Sequence, residues 1–161
     1  MANSETHRKA EWQTMKSIYT LLLILMMGNL PAWAALGSDV SSVNADTQVL
    51  HGQHVMAAKT GYNLHQIATP DGSVVNEFVS PAGIVFGVSW HGHFIPNLQQ
   101  LLGSYMTNLQ QGQVTQHIRR RAITIQGDNF VFSSMGHLRF FRGRAYVPGL
   151  VPANLTAEVV Q

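Results

Sequence analysis

TPDGSVVNEFVSPAGIVFGVSW, residues 69–90, decides how the chain folds. Two apolar runs flank Ser80-Pro81-Ala82-Gly83. Proline pre-sets the backbone angle at the second position of a type I turn, while serine suits the first position and glycine the fourth, which gives Pro81 and Gly83 structural roles. Thr69-Pro70-Asp71-Gly72 repeats the same grammar one strand earlier. In the second run Ile84, Phe86, Val88 and Trp90 fall on alternate positions, so a regular strand points all four to one face. Val85, Gly87 and Ser89 on the other face are small and leave room for a close-packed layer. Alternating runs around two such turns predict an antiparallel meander with Trp90 buried at the end of its central strand.

Upstream the pattern weakens. Tyr62 to Ala68 reads as the first strand, and Ala57 to Gly61 as a connector. Val40, Val43, Thr47 and Leu50 step at helical spacing, with Ser41 or Ser42 as an N-cap, and predict a short helix ending near Gly52. Downstream, Pro96 suits a first helical turn. Leu98, Leu101, Leu102, Tyr105 and Leu109 then form one apolar stripe, which predicts a single amphipathic helix over about 96–111 ended by Gly112. Gly103 inside that helix implies close approach of its backbone to a neighbour, with the sheet face bearing Gly87 the candidate. Two hairpins follow, around Gly127-Asp128 and Arg142-Gly143. Residues 151–161 read as a short, loosely ordered tail. The expected fold is α+β: one domain over 35–161, with an antiparallel sheet from two β-meanders and the 96–111 helix packed on it.

The first 34 residues read differently. Arg8, Lys9 and Lys16 precede an apolar run from Ile18 to Met27, and Ala32-Trp33-Ala34 follows Pro31. A basic start, a short apolar middle and a small-x-small end describe a secretory signal peptide cleaved after Ala34, with Met15 an alternative start to Met1. A membrane anchor needs about 20 apolar residues, and Asn29 and Pro31 interrupt this run before that. The expectation is export by the Sec route to the periplasm or medium, with no membrane span after cleavage. The chain has no cysteine, which excludes disulfides, thiol nucleophiles and lipoprotein attachment. Without the leader, Lys59 and six arginines face six acids, a net charge near +1, so the pI of about 9.2 does not signal nucleic-acid binding. All six arginines lie at or beyond position 119, while most acids precede them.

Gly72, Val75, Glu77, Val79-Ser80-Pro81-Ala82-Gly83, Val85-Phe86 and Trp90 together form a fairly specific set with Pro96, Leu98 and Leu101-Leu102-Gly103. Gly136-His137 and Gly143-Arg144-Ala145 extend it. On these residues the chain from Ala35 onward resembles the domain of unknown function 2844 (DUF2844), small exported proteins of Gram-negative bacteria. The chain departs from that pattern at His91 and Asn97. The resemblance implies an exported protein and carries no activity.

Candidate chemistry is sparse. His91-Gly92-His93 would place two imidazoles on one strand face and is the candidate metal pair, yet a zinc site needs a third protein ligand and no acidic partner stands nearby. Ser80, Ser104, Ser133 and Ser134, with His137 and Asp128, supply the residue types of a triad without a G-x-S-x-G elbow. No catalytic residue and no cofactor is assigned. Arg119-Arg120-Arg121 could hold phosphate groups of a lipid headgroup, or an acidic polysaccharide. Glu77, amid Val74, Val75, Phe78 and Val79, needs a partner if its face is covered; Arg139, Arg142 or Arg144 is the expected one, bridging the two meanders. The reading that fits best is a non-catalytic binding or accessory protein of the cell envelope, its partner an envelope protein or polysaccharide. A histidine-based metal-binding protein and an unrecognised hydrolase are the alternatives.

Overall fold

The computed structural model describes residues 36–115, with side chains to 112, and residues 122–161. The expected signal peptide and Arg119-Arg120-Arg121 lie outside the described residues. Helix α1 (Ser42–Val49) precedes four strands: β1 (Gln53–Lys59), β2 (Tyr62–Ala68), β3 (Val74–Val79) and β4 (Val85–Gly92). Helices α2 (Leu98–Leu102) and α3 (Met106–Thr115) follow, with a 3-10 turn at Gly103–Tyr105 between them. Strands β5 (Ala122–Gln126), β6 (Val131–His137) and β7 (Phe140–Tyr146) come next, and two 3-10 turns, Pro148–Leu150 and Ala157–Val159, close the chain. All seven strands join one antiparallel sheet in the order β1-β2-β3-β4-β7-β6-β5. The protein is mostly β with some helix.

The two turns read from residues 69–83 hold. Gly83 N–H donates to Ser80 O at 2.9 Å, Ile84 N–H donates to Ser80 Oγ, and Gly83 adopts φ +80°. Thr69 and Gly72 close the preceding turn in the same way. Strand β1 occupies part of the expected connector. Thr60-Gly61, a two-residue turn with Gly61 at φ +85°, is its sequence signal, and pairing with β2 does the rest.

The alternation of β4 breaks where the sequence looks most regular. Phe78 pairs with Gly87 but Val79 pairs with Val85, so Phe86 is an extra residue on β4. A bulge of this kind turns two consecutive residues to one side. Val85, Val88 and Trp90 therefore share the face covered by Leu101, Leu102, Leu109 and Val43, whereas Phe86 packs on the opposite face with Phe78 and Val160. The expected common face of Phe86, Val88 and Trp90 is corrected accordingly.

Two further corrections come from glycines. The helix expected over 96–111 is broken: Gly103 takes φ +51° as the cap of α2, and the chain restarts as α3, which runs through Gly112 to Thr115. Gly103 thus supplies a backbone angle that a side chain disfavours, rather than a close approach to Gly87. Gly143 lies inside β7, not in a turn. A Cβ there would collide with the Trp90 ring and sit 2.8 Å from the Ser133 carbonyl oxygen. The turn of that hairpin is Leu138-Arg139, between His137 and Phe140. The β5–β6 connection is also longer than two residues: Gly127 N–H donates to Phe130 O at 3.0 Å, and Phe130 enters the core.

The layer expected against the small residues of β4 is the C-terminal segment. Val160 is fully buried, and a Cβ on Gly87 would meet its Cγ2 at 2.6 Å. Ser89 Oγ donates to Gln161 O at 2.9 Å and Arg144 Nη1 donates to Val160 O at 3.1 Å. With Tyr62, Leu64, Tyr146 and Leu155 this segment builds a second, smaller core under the sheet. Residues read from sequence as a loose tail thus cover half of one sheet face.

Candidate functional site

The other half of that face stays open. Register fixes which side chains point there. Asn76 pairs with Ser89, Ser89 with Arg144 and Arg144 with Ser133, while His91 pairs with Arg142 and Arg142 with Met135. Facing residues on adjacent strands lie on one side of a sheet. Together with Phe140 and Gln161 these residues, Ser89 apart, wall a cavity of about 600 Å³. Its floor is a polar relay: Gln66 Nε2 donates to Asn76 Oδ1 at 3.1 Å, Asn76 Nδ2 to Ser89 Oγ at 3.3 Å, and Ser89 Oγ onward to Gln161 O. Met135 and Phe140 form an apolar lip, both partly exposed.

The charge balance of this cavity is one-sided. Two guanidinium groups and one imidazole line it, and no Asp or Glu side chain does. Arg142 Nε donates to Met135 Sδ, and Arg144 donates one bond to Val160 O and lies 6.0 Å from the Tyr146 ring centroid. Among the described residues neither guanidinium meets an acid, which leaves most of their ten donors for a ligand. Arginine's planar fork suits carboxylate, phosphate or sulfate oxygens taken two at a time. The arrangement can hold an anion.

The sequence-marked residues fall in several places. His91 lines the cavity, but His93 lies beyond the end of β4 and its Nδ1 donates to Arg139 O at 3.1 Å. The histidines that meet are His54 and His65, with Nε2 and Nδ1 2.9 Å apart and rings stacked at 5.0 Å. Burial, and next the neighbouring His54, push the His65 pKa down. Among the described residues no three His, Cys, Asp or Glu side chains come together. Asp128 and His137 flank opposite ends of β6, on the order of 20 Å apart at 3.3 Å per residue, and Ser133 and Ser134 point to opposite faces, so these residues assemble no triad. Ser80 is spent on its turn.

Glu77 is corrected outright. It shares the helix face with Val75 and Val79, whereas Arg142 and Arg144 point to the opposite face and Arg139 sits in a hairpin turn. Its actual partner is Asp46 of α1, which also accepts from Gln100 Nε2 at 2.8 Å. Both carboxyls are 1% exposed. Burial, then the Asp46 charge, hold the Glu77 pKa well above the ordinary carboxylate range, so it stays protonated and donates to Asp46. Helical spacing places Asp46 inside α1, but nothing in the sequence says that it points at Glu77.

A family described as "Protein of unknown function (DUF2844)" matches residues 32–160. The chain belongs to that family. No curated protein and no solved structure matches it. In this DUF2844 chain the Gly143-Arg144-Ala145 stretch divides its labour by the alternation of β7: Gly143 receives the Trp90 ring, Arg144 faces the cavity and Ala145 is buried beside Phe132. No helix among the described residues is long and apolar enough to cross a membrane.

Proposed function

We propose that this chain is a non-catalytic binding protein exported to the cell envelope, and that its cavity receives an anionic group of an envelope ligand. The observation that carries this reading is the wall of Arg142, Arg144 and His91 without an Asp or Glu side chain opposite them. An acidic polysaccharide is the ligand class that fits: its carboxylates match the two forks, while its hydroxyls match Asn76, Ser133 and the Gln161 carbonyl. Calorimetric titration of the protein with an oligouronate tests it. Arg144→Gln removes a charged donor pair and is expected to weaken binding by about tenfold or more, with the melting curve little changed. Equal affinity of the variant, or binding that ignores the carboxylates of the oligosaccharide, would refute the assignment.

Export rests on the basic, apolar, Ala-Trp-Ala order of the first 34 residues. Intact-mass measurement of protein from the periplasm or medium is expected to show a chain starting at Ala35. A soluble cytoplasmic pool with an uncleaved N-terminus would exclude it.

A further inference from the structure

The β6–β7 hairpin ends in an apolar tip that the folded chain leaves bare. Leu138 is 87% exposed and Phe140 52%, and Phe94 and Ile95, in the segment after β4, are 62% and 48% exposed. The bond from His93 Nδ1 to Arg139 O ties that segment to the hairpin turn. Leu138 and Arg139 both adopt left-handed angles, φ 41° and 66°. A two-residue hairpin loop of this kind is ordinarily filled by asparagine and glycine. Here a branched apolar side chain occupies the strained position and points to solvent, where it contributes nothing to packing. Strain of this kind, uncompensated by burial, marks a functional contact.

The cationic side chains beside the tip complete the pattern. Arg139 and Arg142 are exposed, with His137 alongside, and the hairpin from Val131 to Tyr146 contains no acid. Asp71, which acts electrostatically with His93, is taken up by Thr69 Oγ1 and the Ser73 N–H. Another protein's flat surface would be met by a broad patch. A two-residue wedge with apolar side chains ahead and guanidinium groups behind instead suits the headgroup boundary of a bilayer, where apolar side chains enter the acyl region and arginines remain with the phosphates. We infer that the Leu138-Arg139 tip inserts into an anionic phospholipid surface. Phe140 and Arg142 belong also to the wall of the anion cavity, whereas Leu138, Arg139 and Phe94 do not, so the insertion is tested at these three.

The absence of cysteine makes the test direct. Leu138→Cys carries an environment-sensitive fluorophore at the tip, and Val55→Cys, at an exposed position on edge strand β1, carries it as the reference. The full chain is mixed with phosphatidylglycerol-containing vesicles and with pure phosphatidylcholine vesicles. The expected result is a blue-shifted, brighter emission at position 138 with anionic vesicles and none at position 55. Arg139→Gln in the Leu138→Cys background is expected to weaken the apparent vesicle affinity about fivefold. Phe94→Ser in the same background is expected to weaken it about tenfold. No shift at 138 overturns the inference, as does an equal shift at both positions, which would report adsorption through another part of the chain. A shift that appears on raising protein concentration without lipid would make the tip a contact between copies and overturn it as well.

Discussion

Replacing Trp90 with alanine is expected to cost about 3–5 kcal/mol of unfolding free energy, read from denaturant melting. The ring is 2% exposed, packs on Phe132 with centroids 5.7 Å apart, and lies across the bare backbone of Gly143. Its removal opens a void between β4 and β7, the one pairing that joins β1–β4 to β5–β7. Gly143→Ala probes the same contact from below. The added methyl has a ring on one side and the Ser133 carbonyl on the other, so an overpacking loss of about 1–3 kcal/mol is expected. Combining the two changes gives the sharper reading. With Trp90 gone, the alanine methyl at 143 has room, so the double variant is expected to be more stable than the sum of the single losses requires. Additive losses would mean that ring and glycine do not meet. Trp90→Phe is expected to cost less than alanine, because it keeps the contact with Phe132 and removes a buried indole N–H that has no hydrogen-bond partner.

The Trp90–Gly143 contact also shows what the sequence could and could not reveal. Trp90 was readable as core from its place at the end of an apolar alternating run. Gly143 was read as a turn, because a glycine after an arginine between two short strands looks like a hairpin signal. Only the register of β4 against β7 shows that the glycine sits under a ring, and register is set by pairs far apart in the chain. Phe86 was misplaced for a related reason. A bulge changes the parity of a strand while leaving its composition untouched, so a period-two reading runs straight through it. Turns built from Ser80-Pro81-Ala82-Gly83 were legible because their determinants are local angles and hydrogen bonds. The cavity was scarcely legible. Its wall takes residues from β3, β4, β6, β7 and the last residue of the chain, and only His91 among them had been singled out for ligand chemistry. Burial of Val160 against Gly87 depends on the chain returning to a strand 73 residues earlier, which leaves no local trace.

The buried acid pair supplies the second large effect. Glu77 has a folded-state pKa raised well above its ordinary 4.5, with burial the first cause and the Asp46 charge the second, and burial also raises Asp46. The sign follows from proton counting. The native state keeps a proton that the unfolded chain releases above about pH 4.5, so stability is greatest at or below that pH and declines as pH rises toward the folded value. For one proton the slope is at most about 1.4 kcal/mol per pH unit. Wild-type protein is therefore expected to lose stability as pH rises above about 5, against the common pattern in which carboxylates lend stability as they ionise. Glu77→Gln separates this from any other cause. The amide still donates to the Asp46 carboxylate but cannot ionise, so the variant is expected to match wild type at about pH 5, exceed it at about pH 8 and show a flattened profile. A variant that loses stability with pH as steeply as wild type would mean that Glu77 is not the titrating group. Arg144→Gln belongs in the same series as a control. The guanidinium lies across the sheet from the carboxyl, so its loss is expected to leave the pH slope unaltered, whereas a Glu77–Arg144 bridge would make the two substitutions strongly coupled.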